Sequence, residues 1–344
     1  MRKINTNVPF RFLAMCCLLV SLSCESAVAD PPAKEEPLAA AAPQTIKDYL
    51  KPAMKNAGFS MEGYILWCPT VIKVGDTYHM FASRWPEQYG LAGWTTYSEI
   101  VRATADNIYG PYTFQEVVLQ KRSGFWDNER AHNPKIVKSG DTYVLYYIST
   151  ANETGYAYSR SITGPWTRSD KIAMPFSNPA PLVKADGSIY VFGRKAVNDI
   201  RISQGYTAPA YNGAYSILNS GNNLFPGKNQ LEDPTIWWAA NQYNVICSDF
   251  RGDVTGVNKD GVQYYSTDGV TFLPVSSESI YSKTVTYDDN TTEKFSRRER
   301  PFVYENEKGQ ITAFFTACLP EKGPARIVVQ PVANYVPQRF AANK

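Results

Sequence analysis

The sequence predicts an all-β fold, a five-bladed β-propeller, and three observations carry that reading. The first is a repeated hairpin. Pro69 is followed nine residues later by Tyr78, through Thr70-Val71-Ile72-Lys73-Val74-Gly75-Asp76-Thr77, and Pro134 leads in the same way to Tyr143. Pro181 to Tyr190 and Pro234 to Tyr243 repeat the spacing, and Pro301 opens a fifth copy that is one residue longer. Each copy reads as strand, Gly turn, strand. The second observation is a downstream turn, Gly110-Pro111-Tyr112 and Gly164-Pro165-Trp166, which opens an outer strand. The third is composition: aromatic residues make up 13% and charged residues 19% of the chain, which suits twisted sheets around a ring-lined groove. Units of about 45–65 residues with several short strands each are the pattern of propeller blades, so five copies predict five blades.

Residues 1–29 read as an export signal. Arg2, Lys3 and Arg11 precede an apolar core over 12–22 that is too short to span a membrane stably, and Ala27-Val28-Ala29 is a small-x-small cleavage site. The expected location is therefore secreted or periplasmic. Residues 30–58 are expected to be a Pro/Ala/Glu-rich linker and a short amphipathic helix over 45–57, with Ile46, Tyr49, Leu50 and Met54 on one side. The propeller should occupy 59–344. Blade one runs over 64–119; blades two, three and four start near Ala131, Asn178 and Leu231. A polar stretch over 282–296 is expected to be a surface loop before blade five. Strand 326–329 should close the ring against Tyr64-Ile65-Leu66. Ser266-Thr267-Asp268-Gly269 reads as a polar hairpin turn.

Formal net charge is +3, with no basic run and no RNA-binding motif, so nothing points to nucleic acid, and no membrane contact is implied beyond the export signal. Cys68, Cys247 and Cys318, the cysteines outside the leader, are too scattered for a disulfide framework and read as buried small hydrophobes. No zinc spacing and no cofactor motif exists; a structural cation in the central channel is compatible with the pattern, although no ligand set is legible.

The residues before the prolines carry a resemblance. Ala131-His132-Asn133-Pro134, Glu232-Asp233-Pro234-Thr235-Ile236-Trp237, Arg298-Glu299-Arg300-Pro301 and the Gly-Pro-aromatic turns together resemble the five-bladed propeller glycoside hydrolases, the sucrase-like relatives of families 43, 32 and 117. The resemblance spans about 64–329 and implies a funnel site built from the first residues of each inner strand. Family 43 uses an Asp before the blade-one Pro as base, an Asp before a later Pro to tune the acid, and a Glu two residues before another Pro as acid. Glu232 matches the acid. The base position holds Cys68 and the tuning position Asn178, and neither does a carboxylate's work.

Glycosidic hydrolysis needs one group to protonate the leaving oxygen and another to activate water or attack the sugar. Adjacent Glu232 and Asp233 on an extended strand are expected to point to opposite faces, so they are not a catalytic pair with each other. Asp127 is the first candidate for the missing base, with Glu299 and Glu99 behind it. His132 is a candidate acid, base or hydroxyl partner, balanced against a hydrogen-bonded structural role. Arg84, Arg130, Arg194 and Arg300 fall near the inner ends of blades and suit a carboxylate or sulfate on the sugar, or else salt bridges between blades. Asn133, Asn178 and Glu299 are further binding candidates. Trp67, Trp85 and Trp126 are candidates for stacking on sugar faces or for packing between blades. The expected function is hydrolysis of a terminal sugar from an oligosaccharide or polysaccharide, with an acidic or sulfated sugar as one candidate. The alternatives are a non-catalytic glycan-binding propeller, favoured by Cys68 and Asn178, and a lyase or phosphorylase on the same fold.

Overall fold

The computed structural model describes residues 44–228 and 230–340. The export signal over 1–29 and the first part of the expected linker lie outside the described residues. Strands appear where apolar, β-branched and aromatic residues run between Gly, Asn and Asp turns. Among the described residues they form five four-stranded antiparallel sheets. Blade one is β1 (Tyr64–Val74), β2 (Thr77–Pro86), β3 (Glu99–Ala105) and β4 (Thr113–Leu119). Blade two is β5 (His132–Ser139), β6 (Thr142–Ile148), β7 (Thr154–Ser159) and β8 (Thr167–Arg168). Blade three is β9 (Ser177–Val183), β10 (Ile189–Val197), β11 (Ile200–Ala208) and β12 (Ser216–Ile217). Blade four is β13 (Leu231–Ala239), β14 (Gln242–Asp249), β15 (Asp260–Ser266) and β16 (Leu273–Pro274). The last sheet is β17 (Thr284–Thr286), β18 (Thr292–Glu305), β19 (Ile311–Pro320) and β20 (Arg326–Tyr335). The inner strands pack in a closed cycle: β1 on β5, β5 on β9, β9 on β13, β13 on β18, and β18 back on β1. This is the expected five-bladed propeller.

The apolar core lies between the blades. Phe81, Ile100 and Tyr147 fill the seam of blades one and two, and Tyr146, Phe176 and Val191 that of two and three. Phe192, Phe225 and Tyr264 fill the next seam, then Trp237, Ile246 and Phe314. Trp67, Trp85, Phe315 and Ile327 close the ring between blades five and one. Each seam takes side chains from the facing surfaces of two sheets, so no blade buries its apolar faces alone. Cys68, Cys247 and Cys318 are free, buried thiols, as expected.

Four expectations change. The third hairpin is keyed on Pro179 rather than Pro181, because Val183 pairs with Ile189 in the turn position that Val74 and Thr77 occupy in blade one. The helix expected over 45–57 shrinks to one 3-10 turn, Ile46–Tyr49. The rest of that segment bridges blade five, with Leu50 against Val332, Ala53 against Tyr287 and Phe59 against Ile327. It therefore shares the closure with Tyr64-Ile65-Leu66, of which Ile65 and Leu66 pack with Ile327 and Val329 in one core cluster. Residues 64–66 are committed to β2 as an inner strand and keep one bond to the last strand, from the Leu66 N–H to the Ala325 carbonyl at 3.0 Å. Finally, the polar stretch over 282–296 is not a free loop. It contains β17 and the start of β18, and Val285, Tyr287 and Phe295 are buried with Ala53, Cys318 and Val328 beneath the N-terminal clasp.

The clasp turns on Gly58. Its φ is +73°, and a Cβ there would meet the Ile327 carbonyl oxygen at 2.1 Å. Gly63 has a similar φ of +74° but open space around it. Gly58→Ala should therefore destabilise the protein by about 2–3 kcal/mol, against about 1 kcal/mol for Gly63→Ala. Denaturant midpoints of the two variants check the difference; equal losses would show that the clasp is not packed at Gly58.

Candidate active site

All five inner strands carry the same irregularity at the same place. In β13 the register runs Glu232 to Ser248 and then Thr235 to Ile246, so one extra residue is accommodated at Asp233-Pro234. The same shift occurs after Trp67, His132, Ser177 and Glu299. In each bulge the residue before proline is left-handed: Cys68, Asn133, Asn178, Asp233 and Arg300 have φ between 54° and 60°. The left-handed residue breaks the strand's alternation and turns its side chain to the propeller axis. The expectation that Glu232 and Asp233 point to opposite faces therefore fails, and both belong to the funnel.

The five side chains before proline join into a rosette, one from each blade. The Cys68 thiol donates to Asn133 Oδ1 at 2.7 Å, Asn133 Nδ2 to Asn178 Oδ1 at 2.6 Å, and Asn178 Nδ2 to Asp233 Oδ1 at 3.0 Å. Arg300 Nη1 donates to the same three oxygens, at 2.9 Å to Asn133, 3.1 Å to Asn178 and 2.7 Å to Asp233. The guanidinium thus sits among the oxygens that a channel cation would require. Among the described residues no group of three or more His, Cys, Asp and Glu side chains is placed to hold a metal. Burial pushes the Cys68 thiol up to about 11, so it is no thiolate at neutral pH. Burial also raises the pKa of Asp233, and Arg300 partly offsets the rise.

Two cavities follow the axis. One of about 490 Å³ begins just after the prolines and is lined largely by apolar strand residues such as Val71, Ile136 and Ile236. The other, about 290 Å³, begins on the opposite side of the rosette, lined by Asn133, Asn178 and Arg300. Glu232 lines this second cavity and pairs with Arg194. Burial, and then the neighbouring Asp233, raise its pKa against the pull of Arg194 and Arg300, to about 7. A carboxyl so placed is a proton donor near neutrality. It is the rosette cavity that has the chemistry.

Several residues singled out in the sequence lie elsewhere. Asp127 is fully buried and held by Arg122 at 2.9 Å, Arg168 at 3.0 Å and the Tyr147 hydroxyl at 2.8 Å, so it cannot activate water in the cavity. His132 is buried, stacked on Trp94 at 4.8 Å, and contacts Ser98 through Nδ1 at 2.8 Å. Burial, Arg300 and Arg130 push its pKa well below the usual histidine value, so the ring is neutral and has the structural role. Arg84 pairs with Glu99 at 2.8 Å and lies over Tyr64 and Phe114, in the blade rather than the funnel. Glu299 pairs with Lys259 at 2.6 Å and Arg297 at 3.4 Å. Trp67 and Trp85 are buried packing residues, and Trp126 packs on Tyr147 and donates to the Ser169 carbonyl, so none presents a face to a sugar. Arg130 does not line the cavity; it braces its wall, bonding Asn152 and the Thr95 carbonyl beneath Trp94.

The cavity also gathers residues that the proline pattern missed: Trp94, Glu153, Lys195 and Arg201. They come from the short helix Trp94–Tyr97, the β6–β7 connection and the far end of the β10–β11 hairpin. The one usable signal was Arg194-Lys195 with Arg201, a cluster of cations flanking a short turn.

No protein-family model matches the chain, and no curated protein does. Solved structures do. A family 117 glycoside hydrolase from the marine bacterium Zobellia galactanivorans superposes with a TM-score of 0.60 and 16% identity, over 83% of this chain and 91% of that one. A family 43 β-xylosidase/α-arabinofuranosidase from a compost metagenome gives 0.57 and 13%, over 85% and 97%. An exo-β-1,3-galactanase from Phanerochaete chrysosporium gives 0.54 and 11%, over 82% and 64%. The chain shares its fold with five-bladed propeller glycoside hydrolases, including members of families 117 and 43.

Removing the rosette's cation strands a buried carboxylate. Arg300→Met should cost about 3–5 kcal/mol, and adding Asp233→Asn should restore part of the loss. Urea unfolding of the single and double variants measures the coupling; a double variant no more stable than the single one would remove the ion pair from the account.

Proposed function

We propose that this protein is an exported glycoside hydrolase that removes a terminal sugar from an oligosaccharide, with Glu232 as general acid. The observation that carries the reading is Glu232 itself: a carboxyl raised to about 7, on the wall of the cavity that the rosette residues Asn133, Asn178 and Arg300 also line. A funnel stopped by the rosette suits chain ends better than the middle of a polymer. The structural neighbours support the class, since their names describe glycosidases of families 117 and 43 and an exo-acting galactanase. Export rests on the leader over 1–29 alone.

The cavity lining favours an acidic sugar. Arg194, Lys195, Arg201 and Arg300 face it against the carboxylates Glu153 and Glu232. An excess of cationic side chains attracts a uronate or sulfate, and guanidinium binds such groups bidentately. A second reading, a glycan-binding propeller without turnover, is favoured by Cys68 and Asn178, which leave no carboxylate at two of the rosette's positions.

The test is incubation with neutral, uronic and sulfated oligosaccharides, with products read by mass. The parent should release one terminal sugar, and Glu232→Gln should lower kcat by about 10²–10⁴-fold. An unsaturated product or a phosphate requirement would indicate a lyase or phosphorylase, and binding without turnover the lectin reading. The pH dependence has a definite sign. An acid must be protonated, so kcat/KM should fall as pH rises through about 7, the pKa of Glu232. A profile flat from pH 6 to 8 would exclude Glu232 as the acid.

A further inference from the structure

The family-type positions supply an acid but no second carboxylate, and the cavity supplies one from elsewhere. We propose that Glu153, on the β6–β7 connection, is the general base of this site. The inference rests on the hydrolase reading above.

Three observations converge on Glu153. First, among the described residues it is the one other carboxylate lining the Glu232 cavity; Arg194, Lys195, Arg201 and Arg300 are the remaining charged groups described there. Second, the connection that presents it is a tight, braced turn. Ala151 and Asn152 are successive non-glycine residues in the left-handed region, with φ of 54° and 59°. Two successive left-handed residues make a tight turn, as Ala240 and Asn241 do in the β13–β14 hairpin. In the β6–β7 turn Asn152 Oδ1 accepts from Arg130 at 2.7 Å and Thr150 donates to Asn128 at 2.8 Å. The backbone of Glu153 is tied in both directions, its N–H to Thr150 at 3.1 Å and its carbonyl to Ser149 at 3.1 Å. Third, the Glu153 carboxylate has no ion-pair or hydrogen-bond partner among the described residues, although three arginines line the same cavity. Arg130 is taken by Glu129 and Asn152, and Arg194 by Glu232 and Gln230. A rigid loop that holds an uncommitted carboxylate on a cavity wall suits a base, which must be free to accept a proton.

The step balances without a co-reactant. Glu153 takes a proton from water as the water oxygen bonds to the anomeric carbon. The bond from that carbon to the leaving oxygen breaks, and Glu232 gives its proton to that oxygen. The two carboxyl groups exchange protons with solvent afterwards, and the net reaction is addition of one water across the glycosidic bond.

The experiment uses α- and β-linked 2,4-dinitrophenyl glycosides of neutral and uronic sugars, whose leaving group departs without protonation. Glu153→Gln should lose about 10²–10⁴-fold in kcat on these substrates. Glu232→Gln should lose much less on them than on an oligosaccharide. In Glu153→Gly, sodium azide should restore release of dinitrophenol and yield a glycosyl azide, a product that a merely structural role would not generate. If the parent turns these substrates over and Glu153→Gln stays within about 10-fold of it, the base assignment is overturned and the hydrolase reading stands. A folded Glu153→Gly that is inactive and not rescued overturns the base in favour of a sugar contact. A parent protein inactive on both the aryl glycosides and the oligosaccharides overturns the hydrolase reading, and the base with it.

Discussion

A left-handed residue before proline in every inner strand is the constraint on which the funnel depends. Proline cannot donate a ladder hydrogen bond, and the bulge absorbs that loss at the edge of the sheet that faces the axis. The positive φ costs roughly 1 kcal/mol or more for a non-glycine residue. Asn133, Asn178 and Asp233 are residue types that tolerate the conformation, whereas Cys68 and Arg300 are not. What offsets the cost is the rosette: each strained residue is held by neighbours contributed by other blades. Strain distributed over five strands is thereby converted into one polar plug on the axis.

The plug sets the electrostatics of everything above it. Arg300 places a permanent cation at the floor of the cavity, and Asp233 compensates for it. Glu232 then lies between two opposed influences, the guanidiniums that favour its ionised form and the burial and Asp233 that oppose it. The balance leaves it near neutrality, where a carboxyl can exchange protons in either direction. His132 shows the opposite outcome. It has the same place in its strand as Glu232, but Trp94 covers it and two arginines face it, so its ring stays neutral and buried. Equivalent backbone positions thus acquire different chemistry from their neighbours.

The blades hold this arrangement by mutual burial rather than through a common centre. Because the apolar clusters lie in the seams, the ring is stable only when closed, and the N-terminal clasp shares in the closure by bridging blade five from Leu50 to Phe59. The close approach of Gly58 to Ile327 and the burial of Ile46 and Ala53 show that the clasp is packed into blade five. A segment expected to be a short helix over 45–57 instead makes isolated bridges to blade five, since a local sequence carries no record of partners more than two hundred positions away.

By itself, the sequence determined the number of blades, their order and, in four of the five, the proline on which the inner hairpin is keyed. These are local matters: a Pro, an apolar run, a Gly turn and an aromatic recur within about ten residues, and hairpin pairing follows from that pattern. It also singled out Glu232, Arg194, Asn133, Asn178 and Arg300, all of which line the cavity. The tertiary structure decided which charged residues are committed elsewhere. Asp127, Arg84 and Glu299 have suitable chemistry and lie near the right strands, but partners brought in by folding occupy them. Glu153 reaches the cavity from a loop that no repeat marks, through two left-handed residues in a turn that Arg130 and Asn128 brace. Pairing within a hairpin is legible over a few residues; whether a carboxylate is free or neutralised depends on contacts between blades, which exist only once the ring has closed.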